Sequence, residues 1–221
     1  MVTWALAKRD TLDGLAAEIL HNYGKGRAIV AIDGIEGAGT TPFADDLAAA
    51  FKRAGHPAFR ASISDFQRPR ADRYLRGQDS AEGYYRDTFD YSVFRRVLIE
   101  PFRMGGSTGF VTSAFDTARD TQVEPKWLSG PADAILIVDG IFLNRPELRG
   151  LWNYSVWLEV PQDVAEQRLL DAATDGSSAI GDRERGGMQL YRADAKPTER
   201  AMALIDNSDP EHPQRIFADS C

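Results

Sequence analysis

A glycine-rich stretch that directly follows a short apolar run most constrains the fold of this chain. The run Arg27–Asp33 (RAIVAID) is rich in β-branched residues and predicts a strand buried on both faces. The stretch DGIEGAGTT follows, and a helix is predicted after it, with Phe43, Leu47 and Phe51 on one face. A strand, a glycine loop and a helix in this order typically bind phosphate through backbone amides and the helix N-terminus.

The loop departs from the pattern G-x-x-x-x-G-K-[ST] at one position, because Thr40 stands where lysine is expected. The glycines let N–H groups point toward an anion, and the hydroxyl of Thr41 can contact Mg²⁺. Thr40 is too short and neutral to bridge the β- and γ-phosphates, and loss of one such donor typically costs about 10²–10³ in rate. An incidental glycine turn is the alternative. The candidate nucleotide-binding residues are Gly34, Glu36, Gly37, Ala38, Gly39, Thr40, Thr41 and Pro42.

Strand-like and helix-like segments alternate along the rest of the chain. Further strands are predicted at Pro57–Ile63, within DAILIVDGIFL, at Tyr154–Val160 and, as the final strand, at Ala201–Asp206. Helices are predicted over residues 10–22 and in PQDVAEQRLLDA. The alternation predicts an α/β fold, a P-loop NTPase-type parallel sheet with helices on both faces and a small lid or substrate insertion.

Two polar segments interrupt this alternation and are predicted to be loops. They are Gln67–Arg86 and the glycine-rich DGSSAIGDRERGGMQ. Such insertions often form substrate loops or lids, although solvated loops are the alternative. We predict a single domain over residues 1–221, with an N-terminal helix in 1–24, a substrate-side insertion at about 64–130 and a lid at about 172–192.

Composition narrows the class of partner. The formal net charge of −7 argues against a nucleic-acid surface, which needs clustered lysine and arginine. The longest apolar run, Ala134–Val138, is far shorter than the roughly 18 residues that cross a bilayer. The single cysteine, Cys221, permits no intramolecular disulfide. We therefore expect a cytoplasmic protein with a small-molecule substrate, no nucleic acid and no membrane partner, and leave open whether it forms a homo-oligomer.

Asp139 ends the apolar strand AILIVD, at the sheet edge where ligands bind in open α/β folds. Its functional interpretation is coordination of Mg²⁺, and the alternative is a turn cap before Gly140. Other carboxylates could orient an acceptor hydroxyl and accept its proton, although exposed loop aspartates are equally common. These are Asp65, Asp87, Asp90 and Asp116.

Arginines of the two insertions could clamp a phosphate, or could simply form a solvated basic face. They are Arg68, Arg70, Arg73, Arg76, Arg183 and Arg185. The three histidines are scattered, and no His/Cys constellation indicates zinc.

From about Ala28 to Pro213, the chain resembles the uridine kinase-like branch of the P-loop nucleoside kinases, with a degenerate Walker A loop. The segments that carry the resemblance are DGIEGAGTT, RYLRGQDSAEGYYRDTFDY, ILIVDGIFLNRPELRGLWNYSVWLEV and IDNSDP. That family transfers the γ-phosphoryl group of ATP to a primary hydroxyl, usually the 5′-hydroxyl of a pyrimidine ribonucleoside. The resemblance implies ATP and Mg²⁺ as cofactors, a phosphate cradle at Gly34–Thr41, and Thr41 and Asp139 beside the metal.

The resemblance also implies a substrate side. Asp90 falls where the family holds the ribose, and Asp116 is similar to a further substrate-side acid. A planar slot beside Asp90 could come from Tyr84, Tyr85 or Tyr91, which could equally be core residues. Arg73 and Arg183 are candidates to bind substrate or to replace the missing lysine, and adenine is expected near IDNSDP and the lid.

Two further departures concern catalysis. The family has Ser-x-Asp-x-Phe after its second strand, whereas this chain has Ser64 at the aspartate position. The adjacent Asp65 can replace it only if the strand has ended, since neighbouring side chains on a strand point to opposite faces. An Arg-Asp pair usually opens the family's lid, and Thr174-Asp175 is the best match here.

The catalytic candidates are therefore Asp65, Ser64 and Thr40, and three functions follow. The first is an ATP-dependent nucleoside kinase. The second is a kinase-fold protein that binds a nucleotide or another ligand without efficient turnover. The third is a kinase for another small alcohol, such as a sugar, a sugar acid or a pantothenate-like substrate.

Overall fold

The computed structural model describes residues 7–173 and 180–217, and a six-stranded sheet forms their centre. The strands in chain order are β1 (Ala28–Gly34), β2 (Ala58–Ser62), β3 (Phe110–Val111), β4 (Phe115–Asp116), β5 (Thr121–Gln122), β6 (Trp127–Leu128), β7 (Ile135–Gly140), β8 (Tyr154–Glu159), β9 (Ala203–Asp206) and β10 (Gln214–Ile216). The sheet order is β10-β9-β8-β1-β7-β2, and two small antiparallel pairs, β3 with β6 and β4 with β5, lie outside it. The first five strands of this sheet along the chain pair in parallel, which confirms the predicted sheet.

The predicted strand at Ala201–Asp206 is present as β9, but it is not the final strand. The chain continues past β9 into β10, which pairs antiparallel to β9 at the sheet edge. This segment, Gln214–Ile216, contains three residues of which two are polar. Such a short edge strand lacks the apolar run that identifies a buried strand.

Nine helices flank the sheet in the described part of the chain. They are α1 (Lys8–Tyr23), α2 (Thr40–Arg53), α3 (Arg70–Arg73), α4 (Ala81–Asp87), α5 (Tyr91–Phe94), α6 (Glu100–Met104), α7 (Gln162–Ala172), α8 (Asp182–Ala195) and α9 (Pro197–Arg200). A π-helical turn, Arg95–Ile99, joins α5 to α6, and 3₁₀ turns occupy Ile63–Phe66 and Pro146–Leu148. The two central strands β1 and β7 are buried along their whole length, as expected for a parallel sheet covered on both faces. Among the described helices, none combines the length and apolar character that a bilayer crossing requires.

The glycine-rich second insertion is a helix from Asp182 onward, which corrects the prediction of a loop. Its glycines are packing residues, because α8 lies directly against α4. A Cβ atom at Gly186 would lie 2.7 Å from the Cβ of Ala81, and one at Gly187 would lie 2.5 Å from Cδ1 of Tyr84. The first insertion likewise contains α3 and most of α4. The predicted lid pair Thr174-Asp175 lies outside the described residues.

Candidate functional site

The glycine-rich loop leaves β1 at Gly34 and enters α2 at Thr40. Gly37 and Gly39 have φ angles of 79° and 81°, in the left-handed region that favours glycine. A Cβ atom at Gly37 would lie 2.3 Å from the carbonyl oxygen of Ala165 in α7. The loop therefore presses its backbone against α7, and a larger residue at position 37 would displace it.

The backbone of the loop is supported from one side and open on the other. Asn207 Nδ2 donates a 2.8 Å hydrogen bond to the carbonyl oxygen of Ala38, and the amide of Ala38 donates to Ile35 at 3.0 Å. The next three amides, those of Gly39, Thr40 and Thr41, donate to no other group in the described residues. Three free amides at a helix N-terminus, beside glycines that keep side chains out of the way, fit a phosphate group.

Thr41 and Asp139 meet where β1 and β7 end side by side. The Thr41 hydroxyl donates a 2.5 Å hydrogen bond to Asp139 Oδ2. The other oxygen, Asp139 Oδ1, is buried and accepts no hydrogen bond from the described residues. A hydroxyl and a carboxylate are hard oxygen donors that fit Mg²⁺, which typically takes one or two protein ligands together with substrate phosphates. Larger metal clusters of three or more His, Cys, Asp or Glu residues are absent from the described part.

Arg60 of β2, which was not among the candidate residues predicted from the sequence, approaches the same carboxylate. Its Nη2 lies 2.8 Å from Asp139 Oδ1, although the N–H is not aligned for a hydrogen bond. Its Nε donates to Asp45 Oδ1 at 2.9 Å, and Nη2 donates to the Thr41 carbonyl at 3.3 Å. The available signal was a charged residue in the middle of a strand segment. Only the pairing of β2 with β7 shows what that residue faces.

A cleft of about 400 Å³ opens in front of the loop. The sequence-predicted residues Thr40, Thr41, Ser64 and Asp139 all line it. Its charged lining residues in the described chain are Glu36, Asp139 and Glu184, with no lysine or arginine among them. The cleft thus combines the glycine-rich loop with acidic walls, and no described lining side chain replaces the expected lysine.

Asp65 can replace the missing aspartate only if β2 has ended before it, and this condition is met. Strand β2 ends at Ser62, and Asp65 lies in the 3₁₀ turn that follows. Ser64 is exposed and faces the cleft, whereas Asp65 is half-buried. Burial, and secondly the negative charge of Asp139, raises the pKa of the Asp65 carboxyl. Asp65 therefore lies close enough to the Thr41–Asp139 pair to sense its charge.

Asp90 borders a separate cavity of about 230 Å³. Asp90 Oδ1 caps α5 by accepting from the amides of Ser92 at 3.0 Å and Val93 at 2.9 Å. Its second oxygen accepts no hydrogen bond from a described residue. The cavity is largely apolar, and its aromatic lining residues are Phe66, Phe115 and Trp127.

The three tyrosines proposed for a planar slot are not in that lining. Tyr84 is buried and donates from its hydroxyl to the Glu36 carboxylate of the loop. Tyr85 is buried and donates to Asp194 at 2.7 Å, and the Tyr91 hydroxyl accepts from Arg145 at 3.1 Å. In the described chain, the aromatic lining of the cavity beside Asp90 therefore comes from the phenylalanines and the tryptophan.

Asp116 serves a local turn. Its Oδ1 accepts from the amides of Ala118 and Arg119, each at 3.0 Å. Asp87, another of the candidate carboxylates, is paired with Arg76 at 2.7 Å. Neither carboxylate lines the loop cleft or the cavity beside Asp90.

The two candidate arginines do not line the loop cleft. Arg73 contacts Gln67 and Asp120, the latter at 3.2 Å. Arg183 is sandwiched between the rings of Tyr74 and Tyr84, at 4.7 Å and 4.8 Å from their centroids. Arg73 is thus held by polar side chains of its own insertion, whereas Arg183 packs on the tyrosine that hydrogen-bonds Glu36 of the loop.

Asp33, read from the sequence only as the end of a strand, joins three elements at the base of the loop. It is fully buried and accepts from the Tyr191 hydroxyl of α8 and from Asn144, whose backbone amide and Nδ2 lie at 2.9 Å and 2.7 Å. Burial raises the pKa of Asp33 to about 6, although these hydrogen bonds act in the opposite direction. The cluster fixes α8 to the strand that precedes the loop.

A third cavity, of about 260 Å³, lies on the other side of the loop. Gly37, Gly39, Pro42, Arg168, Asn207 and Pro210 are among its lining residues. Arg168 Nη2 supports this wall by donating to the carbonyl oxygens of Asn207 at 2.8 Å and Ser208 at 2.9 Å. The IDNSDP segment is thus adjacent to the glycine loop.

Solved structures of kinases share this architecture. A protein described as a possible uridine kinase from Bacillus stearothermophilus aligns with a TM-score of 0.71 and 24% identity, covering 89% of this chain and 97% of its own. A protein provisionally described as a fructose transport system kinase from Silicibacter sp. TM1040 aligns with a TM-score of 0.61 and 23% identity, covering 86% and 94%. D-glycerate 3-kinase from Cryptococcus neoformans aligns with a TM-score of 0.56 and 12% identity, covering 87% and 88%. No protein-family model and no curated protein matches the sequence. At these identities the likeness shows the fold, and the predicted P-loop kinase fold is confirmed.

Proposed function

We propose that this protein is an ATP-dependent phosphotransferase, which transfers the γ-phosphoryl group to a primary hydroxyl of a nucleoside-like small molecule. The observation that carries the proposal is the hydrogen-bonded pair of Thr41 and Asp139 beside the three free amides of the loop. An anion cradle next to hard oxygen donors is what phosphoryl transfer requires, because catalysis there is mainly positioning and charge stabilisation. The likeness to solved kinases supports the same assignment.

The nucleotide is assigned to the two cavities that share the loop. In this proposal, the amides of Gly39, Thr40 and Thr41 bind its phosphates, and adenine lies in the cavity beside Asn207. Thr41 and Asp139 would hold Mg²⁺, which when bound neutralises charge on the transferring phosphoryl group. In this proposal, the loop residues that line the cleft orient the phosphate chain.

The acceptor is assigned to the cavity beside Asp90, so that the segment at about 64–130 forms the substrate side and α8 belongs to a lid. The free oxygen of Asp90 would accept a hydrogen bond from the acceptor. Asp65 would accept the proton of the attacking hydroxyl. The oxygen of that hydroxyl would form a bond to the γ-phosphorus while the bond between the γ-phosphorus and ADP breaks. Burial raises the pKa of Asp65, which makes its carboxylate a better base than an exposed aspartate.

A second candidate function is nucleotide binding without efficient turnover. It is favoured by the absence of any lysine or arginine from the described lining of the loop cleft, where three carboxylates occur instead. A third candidate is a kinase for a different small alcohol. It is favoured by the cavity beside Asp90, whose aromatic lining differs from the tyrosines expected for a nucleoside slot.

The deciding experiment is a transfer assay with γ-labelled ATP against a panel of nucleosides, sugars and sugar acids. Calorimetric titration of the unmodified protein with ATP and Mg²⁺ runs beside it. Transfer to a nucleoside supports the first function, and transfer only to another alcohol supports the third. Binding without transfer to any acceptor supports the second. Absence of ATP binding would refute every nucleotide-dependent function.

A further inference from the structure

The guanidinium group of Arg60 contacts both residues of the pair that we assign to Mg²⁺. Its Nη2 lies 2.8 Å from Asp139 Oδ1 and donates to the Thr41 carbonyl oxygen at 3.3 Å. Its Nη1 donates to the carbonyl oxygen of Ile137 at 3.2 Å, and Nε donates to Asp45 at 2.9 Å. Contacts on all three nitrogens fix the group between β2, β7 and the first turn of α2.

The position of Arg60 relative to the cleft decides what it can do. Its side chain is 21% exposed, and the Asp139 side chain is 1% exposed. Thr41 and Asp139 line the loop cleft, whereas Arg60 does not, so Arg60 lies behind the carboxylate as seen from the cleft. Arg60 therefore acts on a bound phosphate or metal through Asp139, and is a positioning residue rather than a catalytic one.

The charge of Asp139 is consequently offset inside the protein. A guanidinium is always protonated and is held here at ion-pair distance from a buried carboxylate, where screening by water is weak. A divalent cation approaching the Asp139 carboxylate meets the repulsion of Arg60 together with the attraction of the carboxylate. At the same time, this pairing offsets the negative potential that an unpaired Asp139 carboxylate would impose on a loop that has no lysine at position 40.

We propose that Arg60 takes over part of the charge-neutralising role of Mg²⁺ at the Thr41–Asp139 pair, so that the loop binds a nucleoside diphosphate or triphosphate with little dependence on Mg²⁺. The inference rests on the proposed nucleotide site and concerns binding. In a loop of this kind, the lysine and the metal normally share the charge of the phosphates. Here Arg60 is positioned to replace part of the charge of both the lysine and the metal.

The test measures ADP affinity by calorimetry in the presence of MgCl₂ and in the presence of EDTA. The unmodified protein is compared with Arg60→Met, which keeps the length of the side chain without its charge, and with Arg60→Lys, which keeps the charge. Arg53→Met is the matched control, because Arg53 forms an ion pair with Asp13 at 2.5 Å on the surface of α2. Circular dichroism establishes that each variant is folded.

In the unmodified protein and in Arg53→Met, we expect Mg²⁺ to change the dissociation constant by less than about threefold. In Arg60→Met, ADP should bind at least about tenfold more tightly with Mg²⁺ than with EDTA, since the unpaired carboxylate attracts the metal and the loop loses its internal cation. Arg60→Lys should retain the small dependence of the unmodified protein.

A tenfold Mg²⁺ dependence in the unmodified protein would overturn the inference and leave the proposed nucleotide site intact. So would an equal, small dependence in Arg60→Met. Absence of ADP binding under every condition would refute the nucleotide site itself, and the inference with it. If Arg60→Met is unfolded, the result with the unmodified protein decides, because a strong Mg²⁺ requirement there contradicts the inference without any variant.

Discussion

The hydroxyl of Thr41 and the carboxylate of Asp139 are joined by a 2.5 Å hydrogen bond, which connects the first turn of α2 to the carboxyl end of β7. The two residues are 98 positions apart in the sequence, and the parallel pairing of β1 with β7 brings them together. Thr41→Val keeps the shape of this side chain and removes the hydroxyl. We expect it to lower the transfer rate by about 10²-fold, because a donor in the charged site is lost.

Thr41→Ser is the matched control for this change. It retains the hydroxyl and should retain most of the rate. Binding of ADP in EDTA should be similar in all three proteins, because the loop amides bind the phosphates whatever the side chain. Equal transfer rates for the valine and serine variants would show that the hydroxyl has no part in transfer.

Restoring the missing groups should raise the rate of transfer. Thr40 and Ser64 both line the loop cleft, so Thr40→Lys and Ser64→Asp together place a cation and a carboxylate in the same space. If the protein binds nucleotide without efficient turnover, we expect a gain of about 10²–10³ in the rate of γ-phosphoryl transfer, since one charge-stabilising donor is typically worth that much. If it is an ATP-dependent kinase, the unmodified protein is already active and the gain should be modest. Steady-state assays with a fixed acceptor measure it.

Thr198→Lys, on the exposed surface of α9, controls for the added positive charge and should change nothing. An unchanged rate in the double variant would indicate that the charge missing at position 40 is already supplied from another residue.

Gly37→Ala should damage both the loop and its binding of nucleotide. Gly37 and Gly55 have similar left-handed φ angles of 79° and 84°. A Cβ atom at Gly37 meets the Ala165 carbonyl oxygen at 2.3 Å, whereas one at Gly55 meets nothing within 4 Å. Gly55→Ala should therefore cost about 1–2 kcal/mol of unfolding free energy from strain alone, and Gly37→Ala about 1–3 kcal/mol more from the clash.

Urea denaturation measures both free energies, and calorimetry with ADP measures binding. We expect binding to be lost only in Gly37→Ala. If the two variants had equal stability and equal ADP affinity, the close approach of the loop to α7 would contribute neither to the unfolding free energy nor to ADP binding.

The buried carboxyl of Asp33 should make stability depend on pH in a way that Asp33→Asn removes. Burial raises the pKa of Asp33 from 3.8 to about 6 in the folded protein. Between these values the folded state holds more protons than the unfolded state, so the unfolding free energy falls as the pH rises through this range. We therefore compare the unfolding free energies of the two proteins. The value for the unmodified protein minus the value for Asp33→Asn should fall by roughly 2–3 kcal/mol between about pH 4 and pH 6 and stay nearly constant at higher pH.

Urea titrations of both proteins at half-unit pH intervals give this difference. Taking the difference cancels the contributions of the other carboxyl groups. A difference that is independent of pH from 4 to 7 would mean that the pKa of Asp33 is unchanged by folding.

Asp90→Asn should weaken use of the acceptor with little effect on the fold. Asparagine caps a helix about as well as aspartate, so the stability contributed by the cap of α5 should change by less than about 0.5 kcal/mol. The charged oxygen that faces the cavity is lost, however, and the kcat/KM for the acceptor should fall by about 10- to 100-fold. The KM for ATP should stay constant. A parallel rise in the KM for ATP, or no change for the acceptor, would place Asp90 outside the acceptor site.

The elements that sequence reasoning located correctly are those whose signal is local. β1 and β7 are continuous apolar runs, and the glycine loop between a strand and a helix has its own spacing. The sequence did not show whether β2 ends before Asp65, because the end of a strand is set by its pairing partner. The structure shows that Asp65 lies in the 3₁₀ turn after the strand.

What was missed depends on contacts between distant segments. The role of Arg60 follows from β2 lying next to β7, and that of Asp33 follows from the approach of Tyr191 in α8. The sequence alone does not distinguish a tyrosine that packs in the core from a tyrosine that binds a ligand, which applies to the three tyrosines expected beside Asp90. Only their contacts with Glu36, Asp194 and Arg145 distinguish the two.

The glycines of α8 have a mechanical consequence. At Gly186 and Gly187 the backbone of α8 lies so close to Ala81 and Tyr84 of α4 that an added methyl group on either glycine would collide with α4. Two helices interlocked at that distance cannot slide past each other without first separating. We therefore expect α4 and α8 to move as one rigid block, so that any closure over the loop cleft carries the first insertion along with it.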